Sequence, residues 1–159
     1  MNDATRMVLQ SSLGTELFEE EADLLGNLMT VRDLADGDFL ITEGMEDDSL
    51  HVLVEGKLEV VKSTGADEFA SLAVLREGSL VGELSFVDGE PHTVGLRALC
   101  KSQLLCLTRK DFESIVDDHP QVVYKVMRTV ARSAHQIVHR MNLEFIELNN
   151  YIFKQHGRY

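Results

Sequence analysis

Hydrophobic positions change their period twice along the chain. Between Leu17 and Leu28, winding the segment as a helix gathers Leu17, Phe18, Leu24, Leu25 and Leu28 on one broad face, and Thr15 offers the side-chain oxygen of an N-cap. The residues ahead of it, Met1 to Leu13, show little periodicity and read as a loose arm. From Val31 to Leu107 the helical spacing is gone. Short β-rich or alternating runs replace it: FLITEG from Phe39, LHVLVEG, KLEVVKS, FASLAVL, TVGLRAL and QLLCLT. Gly37, Gly44, Gly56, Gly65, Gly78, Gly82, Gly89 and Gly95 punctuate these runs where tight turns are needed. Strands this short bury their apolar faces by closing into a barrel or sandwich.

The period becomes helical again at Thr108, which can cap a short helix with Asp111 three residues on, while Phe112 and Ile115 point inward. An acidic turn at Asp117-Asp118 ends it, and Pro120 suits the first turn of the next helix. Val123, Met127, Val130, Ala134, Ile137, Met141, Phe145, Leu148 and Ile152 then follow at helical spacing, giving one helix of over 30 residues. At 1.5 Å per residue it is roughly 50 Å long, more than a small domain can cover. A row at steps of seven (Ala131, Val138, Phe145, Ile152) widens the stripe, so part of this helix calls for a second chain, most simply a parallel homodimer. The expected division is an arm at residues 1–14, a β-roll with short helices at 15–119, and a dimerisation helix with its tail at 120–159.

Charge sharpens this division. The net charge is −12, yet 9 basic and 25 acidic residues precede Pro120 whereas 6 basic and 2 acidic residues follow it. So acidic a body repels phosphate backbones and anionic lipid heads, which argues against nucleic acid and membrane as partners. Lys125, Arg128, Arg132, Arg140, Lys154 and Arg158 read as a solvated flank of the long helix facing that acidic body. Cys100 and Cys106 stand in apolar context without metal-ligand spacing and read as small buried hydrophobes. No stretch approaches the roughly 20 apolar residues of a membrane span, and Met1 to Gln10 lacks the apolar core of a signal peptide. A cytoplasmic protein is the expectation.

The richest segment is LREGSLVGELSFVDGEPHTVGLRAL, Leu75 to Leu99. A glycine at position 82 lets the backbone approach closely, and the amides of Glu83 to Ser85 open a helical turn whose free N–H groups converge as an anion nest. A carboxylate at Glu83 suits a ribose hydroxyl rather than a phosphate.

These residues carry a resemblance. Gly37-Asp38 with Gly44, the run DSLHVLVEG from Asp48 to Gly56, Gly78, Gly82-Glu83-Leu84, Gly89 with Pro91, and RAL at Arg97 to Leu99 resemble the cyclic nucleotide-binding family of the cyclic-AMP-dependent kinase regulatory subunits and the bacterial catabolite activator, over Leu17 to about Ile137. The resemblance implies a mainly β fold with flanking helices: a jelly-roll-like β-roll (a double-stranded β-helix) plus a long C-terminal helix. It implies a non-enzymatic regulatory module without any required cofactor, with cyclic AMP or cyclic GMP as the ligand. Its phosphate cassette would be Gly82, Glu83, Leu84, Ser85, His92 and Thr93. The family's arginine, which clamps the cyclic phosphate, falls at His92, and Thr93 falls where Ser, Thr or Ala follows. Replacing a guanidinium fork by one imidazole donor removes about 1.5–3 kcal/mol of phosphate binding. A bound phosphate would favour an imidazolium at His92, a pH-sensitive clamp. Arg97 lies at an odd step from His92, on the other sheet face by simple alternation. From the helix that caps the pocket in the family, Arg128, Thr129, Arg132 and Ser133 are all candidates to face a base.

Other constellations carry less. His135 and His139 stand four apart without a third metal ligand, His51 with His92 and Glu83 lacks the His-x-His run of a cupin metal site, and Glu46-Asp47-Asp48 lacks the ligand spacing of a calcium loop. No Ser-His-Asp frame, nucleophilic cysteine or phosphate-binding loop is recognisable. In bacterial transcription factors of the family a helix-turn-helix domain follows the long helix, and none is expected within the residues up to Tyr159. Two functions remain: a sensor that passes ligand binding at the cassette to the dimerisation helix and a partner protein, or a degenerate member that no longer binds cyclic nucleotide and serves as a dimeric adaptor.

Overall fold

The computed structural model describes residues 2–156. Eight strands form two four-stranded antiparallel sheets. One contains β1 (Thr30–Leu34), β8 (Ser102–Leu107), β3 (Leu50–Glu55) and β6 (Leu80–Val81) in that order; the other contains β2 (Phe39–Ile41), β7 (Gly95–Ala98), β4 (Leu58–Gly65) and β5 (Glu68–Leu75). Strand β3 shows how the sequence builds the layers. Leu50 and Val52 pack against the helices, while Leu53 packs between the sheets with Leu34, Leu40, Ile41 and Leu104. Because both faces of β3 are covered, Leu50 to Leu53 are all buried and the strand reads as an unbroken run rather than an alternation. Two layers with helices on one side make the jelly-roll-like β-roll expected from the sequence.

The expected loose arm is a correction. Asp3–Gln10 form helix α1, capped by the Asn2 side chain, which accepts from the Thr5 amide at 2.7 Å. Val8 is fully buried, and the Thr5 hydroxyl donates to Asp23 at 2.6 Å in helix α2 (Glu19–Leu28). What the sequence hid is how short the apolar face is: one turn of helix docked on a neighbour suffices. Thr15 does not cap α2 either. It closes a 3-10 turn, Ser12–Thr15, and Phe18 occupies the cap position, where Glu21 reaches back to accept the Phe18 amide at 2.9 Å. Cys100 is exposed, against expectation, because it lies in the turn between β7 and β8; Cys106 is partly buried.

Thr108 caps helix α4 (Arg109–Glu113) as anticipated, its hydroxyl oxygen accepting from the Asp111 amide. Helix α5 (Pro120–His156) is 37 residues long, roughly 55 Å. Its first turns bury Val122, Val126 and Val130, with Val123 and Met127 at the margin. Lys125 binds Glu21 at 2.7 Å, and Arg128 and Arg132 bind Glu16 at 3.2 and 3.0 Å, so this part of the basic flank does meet the acidic body. Past Val130 the helix leaves the body: Val138, Phe145 and Phe153 are 55%, 64% and 72% exposed. No helix among the described residues is long and apolar enough to cross a membrane.

The loop from β2 to β3 is locked by Asp47. Its carboxylate accepts from the Ser49 amide at 3.0 Å and pairs with His51 Nε2 at 3.0 Å, and its backbone carbonyl accepts from His92 Nε2 at 2.8 Å. Burial opposes charge on His51, but the hydrogen bonds to Asp47 and to Cys106 outweigh it and raise the imidazole to about 9. The same pair holds the Asp47 carboxyl well below its ordinary range. A histidine raised in the folded state contributes stability that is fully present below its unfolded value of 6.5 and lost as pH rises through about 9. Denaturant midpoints should therefore fall from pH 6.5 to pH 9. Asp47→Asn should flatten this slope, and a wild-type midpoint constant across the window would refute the ion pair.

Candidate functional site

Strand β6 delivers the chain to Gly82, which sits in the left-handed region with φ 74° and caps the six-residue helix α3 (Glu83–Asp88). A side chain there would be strained by that conformation, and its Cβ would also meet the Ser49 carbonyl at 3.3 Å and the His51 and His92 rings at 3.5 Å. Gly89, also left-handed at φ 72°, ends the helix one turn later. The turn expected from Gly82 to Ser85 is therefore present.

Glu83 is buried, and its Oε1 accepts from the Ser133 hydroxyl of α5 at 3.2 Å. Burial pushes the Glu83 carboxyl up from its ordinary value, against the pull of that hydrogen bond and of its own amide. Leu84 is 55% exposed. Ser85 is buried, with its hydroxyl 3.3 Å from His92 Nδ1.

His92 is also buried, and both of its ring nitrogens meet protein atoms. Nε2 faces a carbonyl and must carry hydrogen, so Nδ1 of the neutral ring accepts from Ser85. The backbone around it is equally fixed: the His92 amide donates to Met45, and the Gly44 amide donates to His92. Thr93 is exposed, and its carbonyl accepts from Lys62 at 2.7 Å.

All six cassette residues line one cavity of about 1090 Å³, roofed by α5. The cavity is large enough for a nucleotide-sized ligand. Of the helix residues left open by sequence, Thr129, Arg132 and Ser133 line it, joined by Gln136 and Arg140, and Arg128 does not; both Arg128 and Arg132 are paired with Glu16. Steps of three and four from Thr129 to Ser133, Gln136 and Arg140 trace a polar row along the helix, a signal present in the sequence but obscured by the hydrophobic stripe beside it. Arg97 points elsewhere, binding Glu59 at 2.8 Å and lying over the Phe39 and Phe69 rings. His135 and His139 are exposed, and no group of His, Cys, Asp or Glu among the described residues is arranged to hold a metal.

The family model for the cyclic nucleotide-binding domain matches residues 31–119, spanning the cassette and both sheets. Patatin-like phospholipase domain-containing protein 6 of Homo sapiens is 28% identical over 144 residues, covering 87% of this chain and 10% of its own length. The chain thus spans about a tenth of the length of the curated relatives it matches. Among solved structures, the N-terminal domain of a transcriptional regulator from Streptomyces coelicolor A3(2) superposes with a TM-score of 0.72 at 31% identity, over 85% of this chain and 94% of that one. The Thermus thermophilus catabolite activator protein gives a TM-score of 0.71 at 25% identity, over 86% and 64%. The chain belongs to the cyclic nucleotide-binding domain family.

Proposed function

We propose that the protein is a non-enzymatic ligand-sensing module in which a cyclic nucleotide, cyclic AMP or cyclic GMP, occupies the cavity between the cassette and α5. The observation that carries this reading is the Glu83 to Ser133 hydrogen bond, which ties the roof helix to the cassette at the point where a ribose would bind. A ribose hydroxyl donating to Glu83 competes with Ser133, so occupancy and the seating of α5 are linked. The α3 amides meet the phosphate, and the polar row from Thr129 to Arg140 meets the base. Arg132 and Arg140 line the same cavity, paired with Glu16 at 3.0 Å and with Glu144 at 3.9 Å, so a phosphate would have to draw either guanidinium from its carboxylate.

One observation favours the degenerate alternative. His92 Nε2 and Nδ1 are committed to Asp47 and Ser85, so a phosphate would have to take one of these hydrogen bonds away. Calorimetric titration with cyclic AMP and cyclic GMP at pH 6 and pH 8 separates the readings. An imidazolium has a second N–H to give, so wild-type binding should strengthen at pH 6, and His92→Arg should bind at least about tenfold more tightly. Ser133→Ala should alter affinity by freeing Glu83. A silent wild type beside a binding His92→Arg means a vestigial pocket on an intact fold; silence in both removes cyclic nucleotide as the ligand.

The second half of α5 is where the signal would leave the domain. Val138, Met141, Phe145 and Leu148 are each more than half exposed, and a second copy of the chain in parallel would cover them. This dimer would present a surface to a partner protein. The wild type should sediment as a dimer, and Val138→Glu with Phe145→Glu as a monomer that stays folded; a wild-type monomer would remove this part of the proposal.

A further inference from the structure

Strands β3 and β8 pair so that His51 lies directly opposite Cys106. His51 Nδ1 is 2.9 Å from the Cys106 sulfur, and His51 Nε2 is 3.0 Å from Asp47 Oδ2. The carboxylate is itself oriented by the Ser49 amide. A nucleophile, a base within hydrogen-bond reach and an acid that orients the base are the parts of an activated thiol. The three residues come from a loop and two strands, at positions 47, 51 and 106, which is why no motif in the sequence announces them.

Access differs along the relay in the sense such chemistry needs. His51 is 3% exposed, whereas Cys106 is a partly exposed residue at the margin of the core between the sheets. On its other side Cys106 pairs with Thr30 of the edge strand β1, and Thr30 is exposed. A reagent that reaches a partly exposed residue beside a sheet edge must be small, and the acidic body, with a net charge of −12, disfavours an anionic one. A neutral hydroperoxide meets both conditions.

We propose that Cys106 is a redox modification site, oxidised by hydrogen peroxide or a small organic hydroperoxide to a sulfenic acid with His51 and Asp47 as its positioning residues. The thiol proton resides on His51 Nδ1 as the sulfur attacks the near peroxide oxygen. The S–O bond forms, the O–O bond breaks, and the departing hydroxide takes the proton from His51 to leave as water, or as an alcohol from an organic hydroperoxide. Sulfur loses two electrons and the peroxide gains them, so no further reductant is needed. The raised imidazole of His51 supports this relay, since its proton is retained between carboxylate and sulfur. The proposal does not depend on cyclic nucleotide binding.

Cys100 is the internal reference, because it is the more exposed thiol and is not part of the relay. The whole protein is treated with hydrogen peroxide in the presence of dimedone, which traps sulfenic acid, and each cysteine is followed by peptide mass spectrometry. Cys106 should be labelled at least about tenfold faster than Cys100. His51→Asn and Asp47→Asn should each slow Cys106 about tenfold and leave Cys100 unchanged. Unfolding would give Cys106 the rate of an exposed, unactivated thiol such as Cys100, so circular dichroism and the denaturant midpoint of each variant are recorded under the labelling conditions, and slowing counts only in a folded variant. Cys100 labelled as fast as Cys106 in the wild type, or Cys106 unaffected by both substitutions, would overturn the proposal.

Discussion

A single carboxylic residue in the β2 to β3 loop, Asp47, holds together parts of the chain that are far apart in sequence. Its side chain fixes Ser49 and His51, and its carbonyl fixes His92, 45 residues later. His51 and His92 then flank Gly82 so closely that a methyl group there would touch both rings. The cassette turn is therefore clamped from the loop side by hydrogen bonds and from below by two imidazoles. Buried polar groups are expensive unless satisfied, and here each satisfies another: no buried side-chain nitrogen or oxygen among the described residues lacks a partner. Such a network is stiff because loosening one member strands the rest.

Across the cavity, towards α5, the cassette has fewer side-chain hydrogen bonds than at its base. Glu83 is buried with Ser133 as its side-chain partner, and a carboxylate in that position is under-solvated, which is why burial raises it. A group that could offer Glu83 further donors would relieve this cost. The cavity beside it carries the donors of α3 and of α5, and the side-chain hydrogen bond across the gap among the described residues is that of the Ser133 hydroxyl. With hydrogen-bonded stiffness below and one exchangeable hydrogen bond above, a ligand of the proposed kind would act on the helix rather than on the sheet.

How much of this could be read from residues alone depended on whether the signal was local. Turn glycines such as Gly82 and Gly89, the Thr108 cap and the α5 periodicity are properties of short windows, and each is present as expected. Helix α1 escaped notice because only Thr5 and Val8 are buried on it, too few for a periodic face. Strand β1 escaped because it is an edge: Thr30, Val31, Arg32 and Asp33 are exposed and only Leu34 is buried, so no alternation marks it. The Asp47 junction and the Cys106 relay were out of reach in principle, since both depend on strand register and loop placement that bring distant residues within hydrogen-bond distance. His92 shows the boundary most clearly. Its position in the cassette could be counted from Glu83, whereas its inward orientation is decided by partners at 47 and 85.

Helix α5 joins these considerations because its two halves obey different constraints. Up to Val130 it is held by Val122, Val126 and Val130 in the core and by Lys125 and Arg132 against Glu21 and Glu16. The ion pairs are partly exposed and contribute modestly, on the order of 1 kcal/mol or less each, so the apolar contacts set the seat of the helix. Ser133 follows one turn after Thr129, at the point where the helix leaves the body. A contact placed there sits between a segment anchored in the core and a segment whose large apolar side chains, such as Val138 and Phe145, are exposed. At 1.5 Å per residue the helix extends roughly 35 Å beyond that contact, so under the proposed function a small tilt at Ser133 would be amplified along its length. The stripe of Val138, Met141, Phe145 and Leu148 lies along that length. Under the proposed function, a surface that covers this stripe would be sensitive to what occupies the cassette.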